Sequence, residues 1–75
     1  MNKIKVLLGN RNLTIPKLSE ILRTRFNCYK YRQQISQWIN GIRLPDIESV
    51  YYLSRIINVS CDDLIPMFME IKNDK

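Results

Sequence analysis

Seventy-five residues carrying a net charge of +5 make one small domain, and a chain near this size buries only roughly 60% of its unfolded surface. With no histidine and two cysteines, one copy cannot build a closed zinc site or a Cys–His nucleophile. No stretch approaches the ~20 apolar residues of a membrane span.

The opening residues 1–8 are too short for the apolar region of a signal peptide and lack its cleavage site. The expected compartment is therefore the cytoplasm, where Cys28 and Cys61 stay free thiols. The pattern is all-α throughout; nothing alternates with period two for long enough to make a strand. Ile4, Leu7 and Leu8 give a first short helix that closes near Gly9–Asn12. Thr14 is placed to cap a second helix, and Pro16 sits in its first turn, where the missing N–H costs nothing. Leu18, Ile21 and Leu22 form the buried stripe, and Phe26 and Tyr29 continue the spacing, so this helix can run beyond Leu22.

The third helix organises the chain. Across Tyr31–Gly41, Ile35, Trp38 and Ile39 fall at i, i+3, i+4, the spacing of a buried stripe. Gly41 ends the helix as a left-handed cap, and a loop runs to Pro45. Asp46 caps a fourth helix whose apolar face is Ile47, Val50, Leu53, Ile56 and Ile57, closed by Asn58. Ser60-Cys61-Asp62-Asp63 has the form of a capping box with Asp replacing Glu. Pro66 breaks a helix begun there, so the spacing predicts a short fifth helix and a sixth starting at Pro66.

Charge is unevenly placed. Residues 1–20 set Lys3, Lys5, Arg11 and Lys17 against Glu20; residues 21–45 hold Arg23, Arg25, Lys30, Arg32 and Arg43 with no acid. Residues 46–75 are net acidic. An acid-free basic block around the third helix suggests a face for a polyanion. A membrane surface would attract the same charge, but the block lacks the continuous apolar face of an interfacial helix. On the third helix, Arg32, Gln33, Gln34, Ser36 and Gln37 stand between the apolar positions. Gln suits the exposed edge of adenine in a DNA major groove, and Arg that of guanine. An ordinary solvated polar face has the same composition.

Several strings together carry a resemblance. Leu13-Thr14, Leu18-Ser19-Glu20-Ile21-Leu22, Ile35-Ser36-Gln37-Trp38-Ile39-Asn40-Gly41, Arg43-x-Pro45, the run 47–53, Asn58-Val59-Ser60 and Asp62-Asp63-Leu64-Ile65 resemble the five-helix DNA-binding domain of the Cro/phage-repressor (lambda-repressor-like) helix-turn-helix family. The resemblance covers roughly residues 4–65. It implies a DNA-binding domain over 1–65 and a C-terminal extension over 66–75, with the second and third helices as the motif and the third in the major groove. It also implies a repressor-like transcriptional regulator on double-stranded DNA; no cofactor is expected, and no enzymatic activity, because no nucleophile, base and orienting group can be grouped in the chain. By the resemblance Arg32, Gln33 and Gln34 would face the bases, Gln37 would reach a base or a phosphate, and Asn40 and Arg43 would meet the backbone; Lys30, Arg23, Arg25 and Lys17 of the basic segments are further candidates for phosphates.

Three departures from the family pattern bear on these roles. A frequent ion pair between helix 1 and the residue before Asn-Gly is replaced by Leu8 and Ile39, which can hold the fold equally well. The family's Gln at the start of helix 2 is Ile15. The spacing from Leu22 to Trp38 is several residues longer than usual, so residues 23–31 must extend helix 2, the turn or helix 3, with Tyr31 where a small N-cap normally stands. This insertion either packs through Phe26 and Tyr29 or offers Arg23, Arg25 and Lys30 to the DNA backbone.

One reading helix covers few base pairs, so a homodimer on a two-fold operator is expected. Met67, Phe68 and Ile71 would share one side of the C-terminal helix and form the interface, or else fold back on the chain's own core. The alternative function is a protein-interaction module of antitoxin or antirepressor type. Phosphate-driven DNA binding weakens steeply with salt, and an apolar protein contact does not.

Overall fold

Short polar side chains accept the free N–H groups that begin four helices. In a computed structural model, which describes residues 2–73, the chain forms α1 (Lys3–Asn10), α2 (Ile15–Phe26), α3 (Arg32–Ile39), α4 (Ile47–Ile57) and α5 (Cys61–Asn73). Asn2, Thr14, Asp46 and Ser60 accept from the backbone N–H of Lys5, Lys17, Ser49 and Asp63. Asn27 and Asn58 close α2 and α4 in the left-handed conformation, at φ 53° and 65°. Asn tolerates that region better than most side chains. Among the described residues there is no strand, and no helix is long and apolar enough to cross a membrane.

The stripes anticipated for α2, α3 and α4 meet in one core. Leu18, Leu22, Ile35, Trp38, Leu53 and Ile57 are all buried there. Helix α2 packs on α3 and α4, while α5 packs on α4 and α1. Leu8 and Ile39 are buried and line the same small internal gap of about 10 Å³. Both therefore belong to the apolar core. Asn2 adds a polar tether, its Nδ2 donating to the Ile39 carbonyl at 2.8 Å.

Gly41 is the tightest joint. It has φ 74°, and a Cβ placed there would lie 2.5 Å from the Ile71 carbonyl oxygen. The end of α3 thus sits directly on the backbone of α5, which only a glycine allows.

Four expectations are corrected. Pro66 does not start a sixth helix: α5 runs unbroken from Cys61 to Asn73 with Pro66 inside. Pro66 removes one intrahelical bond, from the carbonyl of exposed Asp62, where water can replace it. Burial of Leu64, Phe68 and Ile71 on both sides of the proline holds the helix together. The boundary placed at 65/66 therefore falls within a helix, and Asp74 and Lys75 of the expected extension lie outside the described residues. Phe68 and Ile71 are 3% and 6% exposed and Met67 is half-buried against the same core, so the face assigned to a second copy is folded back on its own chain. Ile47 is not on the buried face of α4 but 86% exposed. It is the first residue after the cap, before the helix turns its stripe inward. Tyr29 is likewise 71% exposed, and Cys28 takes the buried place beside it.

Candidate nucleic-acid interface

The inserted segment divides into a helical half and an extended half. Helix α2 gains a further turn through Phe26, whose ring stacks on Tyr52 of α4 at 4.7 Å. Asn27 then reverses the chain, and the Cys28 N–H donates to the Leu22 carbonyl at 2.9 Å. Residues 28–31 cross to α3 without helical structure. Ser19 of α2 donates its hydroxyl to the Lys30 carbonyl at 3.2 Å, and the Lys30 ammonium lies 3.4 Å from Asp46. Lys30 thereby fastens the crossing to α2 and to the cap of α4, so its charge is largely engaged within the molecule.

That ion pair also acts on Asp46. Burial alone would raise its carboxyl pKa, but hydrogen bonds from Ser49 and the nearby Lys30 ammonium outweigh it and hold it below the ordinary carboxylate value.

Helix α3 starts on Tyr31, whose backbone is extended at φ −70° and ψ 150°. A tyrosine side chain is too long to cap its own helix. Gln34 does part of that work, its Oε1 accepting from the Tyr31 N–H at 2.9 Å. This halves what Gln34 can offer a base. Pairing with adenine needs both an amide acceptor and an amide donor, and in this arrangement the acceptor is engaged. Gln33 is exposed and its side chain makes no hydrogen bond among the described residues. Both of its amide groups remain available.

Arg32 is exposed beside it, and Gln37 is half-buried further along the same helix. The Gln37 carbonyl accepts from Ile42 at 2.9 Å and from Arg43 at 3.3 Å. That pins the loop and keeps the exposed Arg43 close to the end of α3. Asn40 is placed differently from expectation. Its Nδ2 donates to the carbonyl and the hydroxyl of Ser36, at 2.9 and 3.2 Å. With its donors so engaged, Asn40 secures the helix end and has no N–H left for a phosphate.

The expected phosphate-binding cations fall into two groups. Arg23, Arg25 and Arg43 are exposed with no carboxylate within ion-pair distance among the described residues. Arg25 lies over the Phe26 ring, 5.4 Å from its centre. Lys17 donates to the Asn12 carbonyl at 3.1 Å, and Lys30 is held by Asp46.

Two residues of this surface were not expected there. Tyr29 and Tyr31 are 71% and 81% exposed, and with Ser19, Arg23 and Lys30 they line an open cleft of about 270 Å³ between α2 and the start of α3. The signal in the chain is the interleaving of aromatic and basic residues in Tyr29-Lys30-Tyr31-Arg32. Apolar spacing had suggested burial for Tyr29; the left-handed Asn27 breaks that spacing and turns the ring outward.

Compared with family models, curated proteins and solved structures, the chain finds no match in any of the three. The described residues form an all-helical domain whose exposed Arg23, Arg25, Arg32 and Arg43 have no carboxylate within ion-pair distance among those residues.

Proposed function

We propose that the chain is a sequence-specific DNA-binding regulator, in which α2 and α3 act as a helix-turn-helix and α3 enters the major groove. The observation that carries this reading is the outer face of α3. Arg32 and Gln33 stand there exposed and without an acidic neighbour on the helix, and Arg23, Arg25 and Arg43 have no ion-pair partner among the described residues. Such a face costs a folded protein charge repulsion and offers nothing to its core, but it suits phosphates and base edges.

In this reading Gln33 makes the two-bond contact to adenine and Arg32 the contact to guanine. Gln34 contributes a single donor while it caps the helix, and Gln37 reaches the groove wall. Arg23 and Arg43, helped by the hydroxyls of Tyr29 and Tyr31, hold the sugar-phosphate strand on either side. Two copies bind half-sites about one DNA turn apart, ~34 Å.

Selection of bound duplexes from random DNA, followed by titration at rising salt, tests the reading. A recovered consensus whose binding constant falls steeply with salt is the expected result. Failure to bind any duplex at low salt overturns it. A protein-binding module is favoured instead by the exposed Ile47, Ile65 and Met69 on α4 and α5, and that binding would persist in high salt.

A further inference from the structure

Two aromatic rings that find no partner inside the molecule lie together at one place. Trp38 and Phe68 are buried, and Phe26 stacks on Tyr52. Tyr51 has the Tyr52 ring and the Arg55 guanidinium each 5.9 Å away. Tyr29 and Tyr31 have neither burial nor an aromatic or cation contact to their rings among the described residues. They line one cleft of about 270 Å³ with Ser19, Arg23 and Lys30. We propose that this cleft holds an unpaired base of a single-stranded nucleic acid, stacked on the tyrosine rings with its phosphate on Arg23. A duplex keeps its bases paired and stacked, so the function proposed above uses only the hydroxyls of these tyrosines. Stacking uses their faces instead, and it does not depend on α3 entering a major groove.

The crossing segment holds the rings in place before any ligand arrives. Tyr29 and Tyr31 stand on either side of Lys30, whose carbonyl accepts from the Ser19 hydroxyl at 3.2 Å and whose ammonium lies 3.4 Å from Asp46. Residue 30 is thus fastened by both its backbone and its side chain. Rings on such a segment lose less freedom on binding than rings on a loose loop.

Charge and size then select the ligand. No acid lines the cleft among the described residues. Lys30 is engaged by Asp46, which leaves Arg23 as the cation of the cleft, exposed and with no carboxylate in ion-pair range among those residues. Tyrosine rings by themselves would also suit a cationic ligand, but Arg23 beside them repels one and matches a phosphate. The volume is just under the ~300 Å³ at which small-molecule sites begin, which suits one base and not a stacked run. Arg32 follows Tyr31 in the chain, exposed and likewise without an acidic partner among the described residues. It supplies a second phosphate contact, which a strand can use and a free mononucleotide cannot.

Fluorescence anisotropy at low salt, with a dye-labelled oligothymidylate of about ten nucleotides, tests the proposal. This strand does not pair with itself, so duplex binding contributes nothing. The wild type should bind it at least about tenfold more tightly than an abasic strand of equal length and charge, because a stacked base adds to the charge attraction. Replacing both rings, Tyr29→Ala with Tyr31→Ala, should abolish that preference, and replacing both by phenylalanine should keep it. Both positions are exposed, so these proteins should melt close to the wild type. Arg23→Ala should weaken both strands, and Arg55→Ala, a charge lost outside the cleft, should do so far less.

Equal binding of the oligothymidylate and the abasic strand overturns the proposal. So does a preference for bases that survives the loss of both rings, or one that disappears with phenylalanine. Thymidine monophosphate that binds as tightly as the strand also overturns it, because the cleft would then serve a free nucleotide. If the double alanine variant melts early, Tyr29→Ala decides, since Tyr29 lies outside any helix: a preference reduced at least about threefold supports the cleft, and an unchanged one overturns it. A protein that binds the oligothymidylate by its bases and binds no duplex ends the duplex reading and leaves the cleft standing; one that binds duplex without that preference does the reverse.

Discussion

Helix α3 and the α4–α5 pair bury similar stripes yet present opposite outer faces. On α3 the water-facing positions hold Arg32, Gln33 and Gln34, which are costly to bury. On α4 and α5 they include Ile47, Ile65 and Met69 beside acids, which water does not favour leaving exposed. Folding into one core explains the inner faces of both regions and neither of the outer ones. In the function proposed above the first face meets a polyanion, while the second leaves apolar side chains exposed to water.

Breaking the joint between the two regions should have the largest effect. Gly41→Ala forces an alanine to φ 74° and drives its Cβ onto the Ile71 carbonyl. It should cost about 2–4 kcal/mol, by strain and displaced backbone together, read as a lower melting temperature for the whole domain. A melting curve like the wild type's would mean that α3 and α5 are not locked together there.

The next effect separates the two glutamines. Gln33→Ala should weaken a preferred site by roughly 1–3 kcal/mol and leave random duplex binding nearly unchanged. Gln34→Ala should discriminate sites better than Gln33→Ala does, while losing about 0.5–1 kcal/mol of stability through the α3 cap. Competition binding and thermal melting on both variants check the pair. Equal loss of discrimination would show that Gln34 leaves its cap to read a base.

A smaller effect sorts the cations. Arg23→Ala and Arg43→Ala should each flatten the dependence of binding on salt by about one unit, for all sequences alike. Lys30→Ala should change that slope little, because Asp46 already holds its ammonium. A full unit lost with Lys30 would move that residue onto the DNA.

The smallest effect concerns pH. The Asp46 carboxyl titrates below its ordinary value in the folded chain. Its contribution to stability is therefore complete above the unfolded carboxylate range and is lost as pH falls through that range towards the folded value. Asp46 is half exposed, so the contribution is that of a screened surface group. Asp46→Asn keeps a capping side chain and should remove this part of the acid sensitivity, as seen in melting curves between neutral and acidic pH.

The helices, their caps and the inner stripes were legible in the chain because each depends on neighbours a few residues apart. Thr14, Asp46 and Ser60 begin helices by reaching three residues ahead, and Ile35, Trp38 and Ile39 meet on one side by periodicity alone. The acid-free block around α3 was legible for the same reason, since charge along the chain needs no folding to be counted. What lay beyond the chain's own order was decided by contacts between distant segments. Whether Pro66 interrupts α5 depends on how much Phe68 and Ile71 gain from the core on its far side. Whether Tyr29 is buried depends on the reversal at Asn27, and whether Lys30 is free depends on an acid sixteen positions later. Periodicity places residues on a face; only the packed partner decides which face is inside, and that partner exists only once the tertiary structure has formed.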